Sequence, residues 1–184
     1  MKHSIQLLAV ICICGAVGIQ QLSAQSFMEI EAETVGRSDF RFPHDALQSS
    51  AAVFGLAMST SRENGEQQQE QLLQWQRIID TRGLLPTGMP MYHFPVIESP
   101  PFFVRGLIRR GIRDVFRGKV DDQLAAVLFV DSTSIFASQA GIPLDSDATI
   151  VVVNTDGSLR GYIKGEPSEV ALAELQKLLT LPDN

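Results

Sequence analysis

The feature that most constrains the fold is an unbroken apolar run at residues 52–58, AVFGLAM, which a helix-start signal follows at once. The run has the length of a strand, and a strand that is apolar on both faces is buried on both faces. Thr60 and Glu63 lie just beyond it with the spacing of a capping box, so a helix is predicted to begin there. A buried strand that leads directly into a helix predicts an α/β protein with this strand central in the sheet.

The remainder of the chain continues the alternation of strands and helices. The first helix is predicted to extend to about Arg82, with Leu72 and Trp75 inward and a glutamine-rich first half that faces solvent. A second amphipathic helix fits residues 102–117, with Leu107 on its buried face. The other predicted elements are an edge strand at 28–33, strands at 91–97, 124–130, 149–153 and 159–163, and helices at 132–139 and 166–181. This order predicts a mixed sheet flanked by helices in three layers, closed by a β-hairpin and a helix.

The first 24 residues have the pattern of a secretory signal peptide. A short positive end precedes a polar-poor run at residues 5–19, and Ala24 supplies a small residue for cleavage. We therefore expect a periplasmic or secreted protein that begins at Gln25 and has no transmembrane segment after cleavage. The only cysteines, Cys12 and Cys14, lie inside the predicted signal, so residues 25–184 contain no thiol for a disulfide or for redox chemistry.

The composition argues against nucleic acid as a partner. The chain has a net charge of −6, and loss of the predicted signal would remove Lys2 and no acidic residue. We predict no metal and no cofactor, because His44 and His93 lack a second ligand at metal spacing and Asp145 and Asp147 are too few for a calcium loop. No catalytic residue is predicted, since the serines lack a nucleophile-elbow motif.

Arginine is concentrated in the second predicted helix. Five of the eleven arginines fall there, namely Arg105, Arg109, Arg110, Arg113 and Arg117, and all of these except Arg110 recur every fourth residue. On a helix this spacing predicts a basic band opposite the apolar face. The band is either a docking patch for an acidic partner, an anionic lipid or a phosphate, or a solvated face balanced by nearby acids.

Residues 128–166, LFVDSTSIFASQAGIPLDSDATIVVVNTDGSLRGYIKGE, resemble the thioredoxin-like superfamily in the variant used by peroxiredoxins and secreted thioredoxin-like proteins. The shared features are Asp131, Gly141-Ile142, the Asp156-Gly157 turn and Gly165. The resemblance covers roughly residues 50 to 181 and implies a thioredoxin-like domain at 51–184 after an N-terminal extension at 25–50. Residues 92–114, YHFPVIESPPFFVRGLIRRGIRD, are also similar to a cysteine-free branch related to the mitochondrial ATP-synthase assembly factor and to periplasmic proteins.

The departures from the family determine the functional expectation. The resemblance places the redox motif at the first helix start, where this chain has Ser61, Arg62, Glu63 and Asn64, which we call the redox slot. It places the family's cis-proline at Ala148. The predicted signal peptide and the missing cysteines imply an exported, redox-inactive protein. The resemblance implies that this protein binds another envelope or secreted protein non-covalently, in an assembly or scaffold role. Two alternatives stay open: an enzyme with a non-thiol site at the first helix N-terminus, and a binder of anionic membrane surfaces through the Arg band.

Overall fold

The computed structural model describes residues 26–47, 51–59 and 61–182; the predicted signal, Gln25 and Thr60 lie outside the described residues. The strands are β1 (Ile30–Glu33), β2 (Asp39–Phe42), β3 (Ala52–Met58), β4 (Met91–Glu98), β5 (Leu128–Val130), β6 (Thr149–Val153) and β7 (Leu159–Lys164). The helices are α1 (Arg62–Arg82), α2 (Phe102–Phe116), α3 (Thr133–Gln139) and α4 (Glu169–Thr180), with a short 3-10 turn at His44–Ala46.

The main sheet has five strands in the order β5-β4-β3-β6-β7. β3 pairs parallel with β4, and β4 pairs parallel with β5. β6 runs antiparallel to β3, and β7 returns antiparallel to β6 as the predicted hairpin. Every residue of β3 is buried, as its unbroken apolar sequence predicts for the central strand. The mixed sheet, the late hairpin and the terminal helix confirm the predicted fold class.

The fifth strand is shorter than predicted. The sequence favoured a strand over 124–130, but the regular ladder with β4 begins only at Leu128, opposite Val96. Before it, only an isolated bridge joins His93 to Ala125. Pro95 lies between these two points and has no N–H to donate, so the ladder is interrupted where the proline stands.

The helices α1, α2 and α4 pack on one face of the sheet. Trp75 of α1 and Leu175 of α4 are fully buried there against Ile150 of β6. Phe116 of α2 is buried in a smaller neighbouring cluster, where its ring lies edge-on to His93. Across the described ranges, no helix combines the length and the hydrophobicity needed to cross a bilayer.

The opposite face is covered by α3 and by an N-terminal hairpin that the sequence pattern only half revealed. β1 forms where residues 28–33 alternate, but it pairs with β2 in a separate two-stranded sheet and not at the edge of the main sheet. Phe42 of β2 is fully buried among the rings of Phe27, Phe54 and Phe94. Residues 26–47 thus contribute aromatic side chains to the main core.

Candidate functional site

The carboxyl ends of β3, β4 and β5 lie at one edge of the sheet, because the three strands are parallel neighbours. α1, α2 and α3 begin just beyond these three strand ends. β6 is antiparallel to β3, so the residues that precede Thr149 reach the same edge. This edge therefore brings together the redox slot, Ala148 and the first turn of α2, and ligand sites in α/β folds commonly occupy such an edge.

Ser61 begins α1 at the redox slot. Its Oγ accepts a hydrogen bond from the Asn64 N–H at 3.2 Å, which satisfies one of the free amides of the first turn. The cap is therefore Ser61, one residue later than the predicted Thr60. Arg62 is exposed and pairs with Glu66 one turn on, with 2.8 Å between Nε and Oε1.

Polar side chains of α1 fasten the segment that holds the predicted cis-proline position. The Asn64 side-chain amide donates to the Ser146 carbonyl at 2.7 Å. The Ala148 N–H donates to Gln71 Oε1 at 2.8 Å, an N–H that a proline would lack. The described residues contain one cis peptide bond, Phe42–Pro43, and it lies away from Ala148. Ser146 and Ala148 are thus each hydrogen-bonded to a side chain of α1.

Three glutamines of α1, Gln68, Gln69 and Gln71, are buried, which corrects the expectation that the first half of this helix faces solvent. Gln68 is fully buried, and its amide donates to the Met58 carbonyl at 3.2 Å and to Asn64 Oδ1 at 2.9 Å. Gln71 is also buried, against Ala148. Helical periodicity alone could not find this, because glutamine counts as polar whether its partner is water or a buried loop. Spacing offers one signal: Asn64, Gln68 and Gln71 follow one helix face.

Lys164 fixes the 145–148 loop from the other side. Its Nζ lies 2.8 Å from Asp145 Oδ1 and donates to Thr149 Oγ1 at 2.9 Å and to the Pro143 carbonyl at 3.1 Å. Burial raises the pKa of Asp145, but hydrogen bonds from Lys164 and from the Asp147 N–H outweigh it, and the net pKa is lowered. Among the residues that the structure describes, no three His, Cys, Asp or Glu side chains are grouped as metal ligands.

Three arginines of the predicted basic band are used within the fold. The guanidinium carbons of Arg105 and Arg109 lie 5.1 and 5.5 Å from the centre of the Phe129 ring. Arg109 also pairs with Glu33 at 3.2 Å, and Arg113 Nε donates to the Val35 carbonyl at 2.9 Å. These side chains join α2 to β5 and to the N-terminal hairpin.

The other two arginines are exposed. Arg117 pairs with Asp114 on the same helix, whereas Arg110 has no ion-pair partner within the described ranges. The structure therefore divides the five arginines, and Arg110 is the one whose guanidinium meets no partner among the residues that the structure describes.

The side of α2 that faces solvent is apolar at its start. Phe102, Phe103 and Leu107 are 87%, 84% and 68% exposed, which corrects the prediction that Leu107 is buried. Gly106 and Gly111 lie on the same side, and a Cβ added at either would meet no atom within 4 Å. We call this surface the α2 outer face: Phe102, Phe103, Gly106, Leu107, Arg110 and Gly111. Because large exposed apolar side chains are rarely grouped on a monomer, this face is the strongest candidate for a binding surface.

Comparison with known proteins identifies the architecture. No protein-family profile matches the sequence, and no curated protein matches it. The structure is similar to a thioredoxin-family thiol:disulfide interchange protein of Chlorobium tepidum TLS, with a TM-score of 0.51 and 13% identity over 85% of this chain and 96% of that one. The fold is thioredoxin-like.

Two further structures share this thioredoxin-like fold. One is a candidate electron transfer protein of Aquifex aeolicus VF5, with a TM-score of 0.54 and 10% identity over 85% of this chain and 98% of that one. The other is BsSco, of the Sco family of cytochrome c oxidase assembly proteins, with a TM-score of 0.51 and 9% identity over 87% and 96% of the chains. At these identities the likeness concerns the fold, so function has to be argued from the residues at the sheet edge.

Proposed function

We propose that this is an exported thioredoxin-fold protein that lacks thiol redox activity and acts by binding another protein non-covalently, in an assembly or scaffold role. The observation that carries the proposal is the α2 outer face, where Phe102, Phe103 and Leu107 are largely exposed beside the sheet edge. Burial of such side chains is the main favourable term in protein association.

The redox slot supports the first half of the proposal. The sequence from Gly15 to the last residue contains no cysteine. In the slot, Ser61 caps α1 and Asn64 holds the Ser146 carbonyl, so both side chains already serve the fold. A surface with fixed side chains and no thiol is suited to recognition of a partner rather than to disulfide exchange.

Membrane binding through the basic band is less well supported, because three of its five arginines make contacts within the fold. Arg105, Arg109 and Arg113 are engaged with Phe129, Glu33 and Val35. The net charge of −6 also opposes approach to an anionic bilayer. The α2 outer face is therefore assigned to a protein partner.

The proposal is tested by placing a photo-crosslinking amino acid at Leu107 in cells that produce the protein. Val170 on α4 is the matched control position, because it is 81% exposed and stands apart from α2. A defined protein adduct is expected at position 107 and not at position 170. Equal labelling at both positions, or no adduct at 107, would contradict the proposed binding role.

Export is tested on the same material. N-terminal sequencing of protein recovered outside the cytoplasm should begin at Gln25, whereas retention of Met1 would contradict the signal-peptide prediction.

A further inference from the structure

The α2 outer face has the spacing that a two-fold symmetric pair of helices requires. Phe103 lies four residues before Leu107, and Gly111 lies four residues after it. Positions four apart share one side of a helix. When two such helices pack antiparallel about an axis at Leu107, each Phe103 lies opposite Gly111 of the other helix. We propose that this face binds a second copy of the chain, an inference that rests on the proposed function because it names the protein that is bound.

The two facing positions are complementary in size. Phe103 is a large ring that is 84% exposed, and Gly111 presents bare backbone with nothing within 4 Å of an added Cβ. Gly106 leaves the same open space directly beside Leu107. Large side chains opposite small ones interdigitate, and the missing side chains let two helices approach closely.

The charges of the face are also compatible with a second copy. Arg110 lies next to Gly111, so its guanidinium can stack on the Phe103 ring of the facing helix. Asp114, one turn further on, is paired with Arg117. The charge on the α2 outer face is therefore that of Arg110 in each copy, and contact with the Phe103 ring of the facing helix accommodates it without an acidic partner.

The apolar area is sufficient for a weak interface. Phe102, Phe103 and Leu107 are 87%, 84% and 68% exposed. Phe103 and Leu107 share the seam, and from the usual areas of such side chains they present about 300 Å² in each copy and about 600 Å² in two copies. Phe102 at the rim, the backbone around the glycines and the stem of Arg110 bring the contact to roughly 1,000 Å², near the lower limit for a specific interface. We therefore expect a reversible dimer with a micromolar dissociation constant.

The test is sedimentation equilibrium of the exported protein purified from the cells that produce it, over a range of concentrations. Two variants address the face: Leu107→Asp places a charge at the proposed axis, and Gly111→Leu fills the space opposite Phe103. Val170→Ser is the control, since it removes an apolar side chain of similar exposure from α4.

We expect the wild type and Val170→Ser to dimerise equally, and both face variants to weaken dimerisation about tenfold or more. Gly111→Leu also improves helix propensity at an exposed position, so a monomeric Gly111→Leu protein that unfolds no earlier than the wild type cannot be explained by misfolding. A wild type that stays monomeric at its highest soluble concentration would overturn the inference. Face variants that dimerise as tightly as the wild type would overturn it too.

Crosslinking at Leu107 separates this inference from the proposed function. A self-adduct supports both. An adduct with a different protein alone overturns the second-copy inference and leaves the proposed binding role standing. Absence of any protein adduct overturns both.

Discussion

At the scale of single residues, His93 is the buried histidine that the structure holds neutral. It lies fully buried on β4, with Nε2 at 2.8 Å from Gln76 Oε1 and the Phe116 ring beside it. Desolvation lowers its pKa to about 3, because the protein interior penalises the charged imidazolium. In the unfolded chain the imidazole binds a proton with a pKa of about 6.5. Protonation therefore stabilises the unfolded state first, and the free energy of unfolding decreases as the pH falls.

This difference between the folded and unfolded pKa of His93 makes the stability of the protein depend on pH. Stability should be fully present above about pH 6.5 and should fall by about 1.4 kcal/mol per pH unit from this residue as the pH drops toward the folded pKa. His93→Gln cannot titrate, so its free energy of unfolding should depend less steeply on pH between about 6.5 and 4. Urea unfolding at several pH values measures the slope.

The control is Phe116→Leu, which removes ring contact with His93 but leaves the imidazole in place. It should destabilise the protein at every pH and keep the wild-type slope. If His93→Gln keeps that slope as well, His93 is not the group that couples proton binding to folding.

At the scale of elements, α1 and α4 begin in the same way but in different places. Ser61 accepts from the Asn64 N–H, and Ser168 accepts from the Ala171 N–H, each at 3.2 Å. Only the α1 start is joined to the 145–148 loop, through the bond from Asn64 to Ser146. The two helix starts therefore allow a matched test of whether the Ser61 turn corresponds to the redox position of the fold.

Ser61→Cys with Asn64→Cys creates a Cys-x-x-Cys pair at the start of α1, and Ser168→Cys with Ala171→Cys creates the same pair at α4. Helix N-termini lower thiol pKa values and so make both pairs reactive, and each pair should form a disulfide when oxidised glutathione is supplied as the oxidant. We expect only the α1 pair to reduce a protein disulfide such as that of insulin, because it lies at the sheet edge. If the two variants reduce insulin at equal rates, the placement of the redox position of the fold at Ser61–Asn64 would lose its support.

At the scale of the whole molecule, the two faces of the sheet carry separate apolar clusters, and β3 contributes buried residues to both. Phe42 packs on one face against Phe54 and Phe94, with ring centroids 5.5 and 4.8 Å away. Trp75, the single tryptophan, is buried on the other face. A change at Phe42 therefore tests whether the N-terminal hairpin unfolds together with the rest of the domain.

Phe42→Ala should lower the free energy of unfolding by about 3–5 kcal/mol, as expected for a fully buried ring. If folding is cooperative, the denaturant midpoint seen by Trp75 fluorescence should fall by the same amount as the midpoint seen by far-UV circular dichroism. Phe102→Ala alters an 87% exposed ring and should change the free energy of unfolding measured by either probe by no more than about 0.5 kcal/mol. An unchanged Trp75 midpoint in Phe42→Ala would mean that the hairpin unfolds separately.

From residue 51 onward, local sequence patterns predicted the order of the elements, the central place of β3 and the position of the late hairpin. These follow from local patterns: an apolar run, a helical period and an Asp-Gly turn each act within a few residues. The pattern of β1 was visible for the same reason, but its pairing with β2 was not, because pairing depends on a segment elsewhere in the chain.

The surface that each polar or apolar face contacts depends on tertiary packing. Gln68 and Gln71 are buried because the 145–148 loop supplies their partners from about 77 residues away. Leu107 is exposed because the contacts of Arg105, Arg109 and Arg113 turn their side of α2 toward β5 and the hairpin. Periodicity shows that a helix has two faces, but burial depends on which distant surface packs against each of them. For that reason the proposed binding face of α2 came from the folded molecule and not from the sequence.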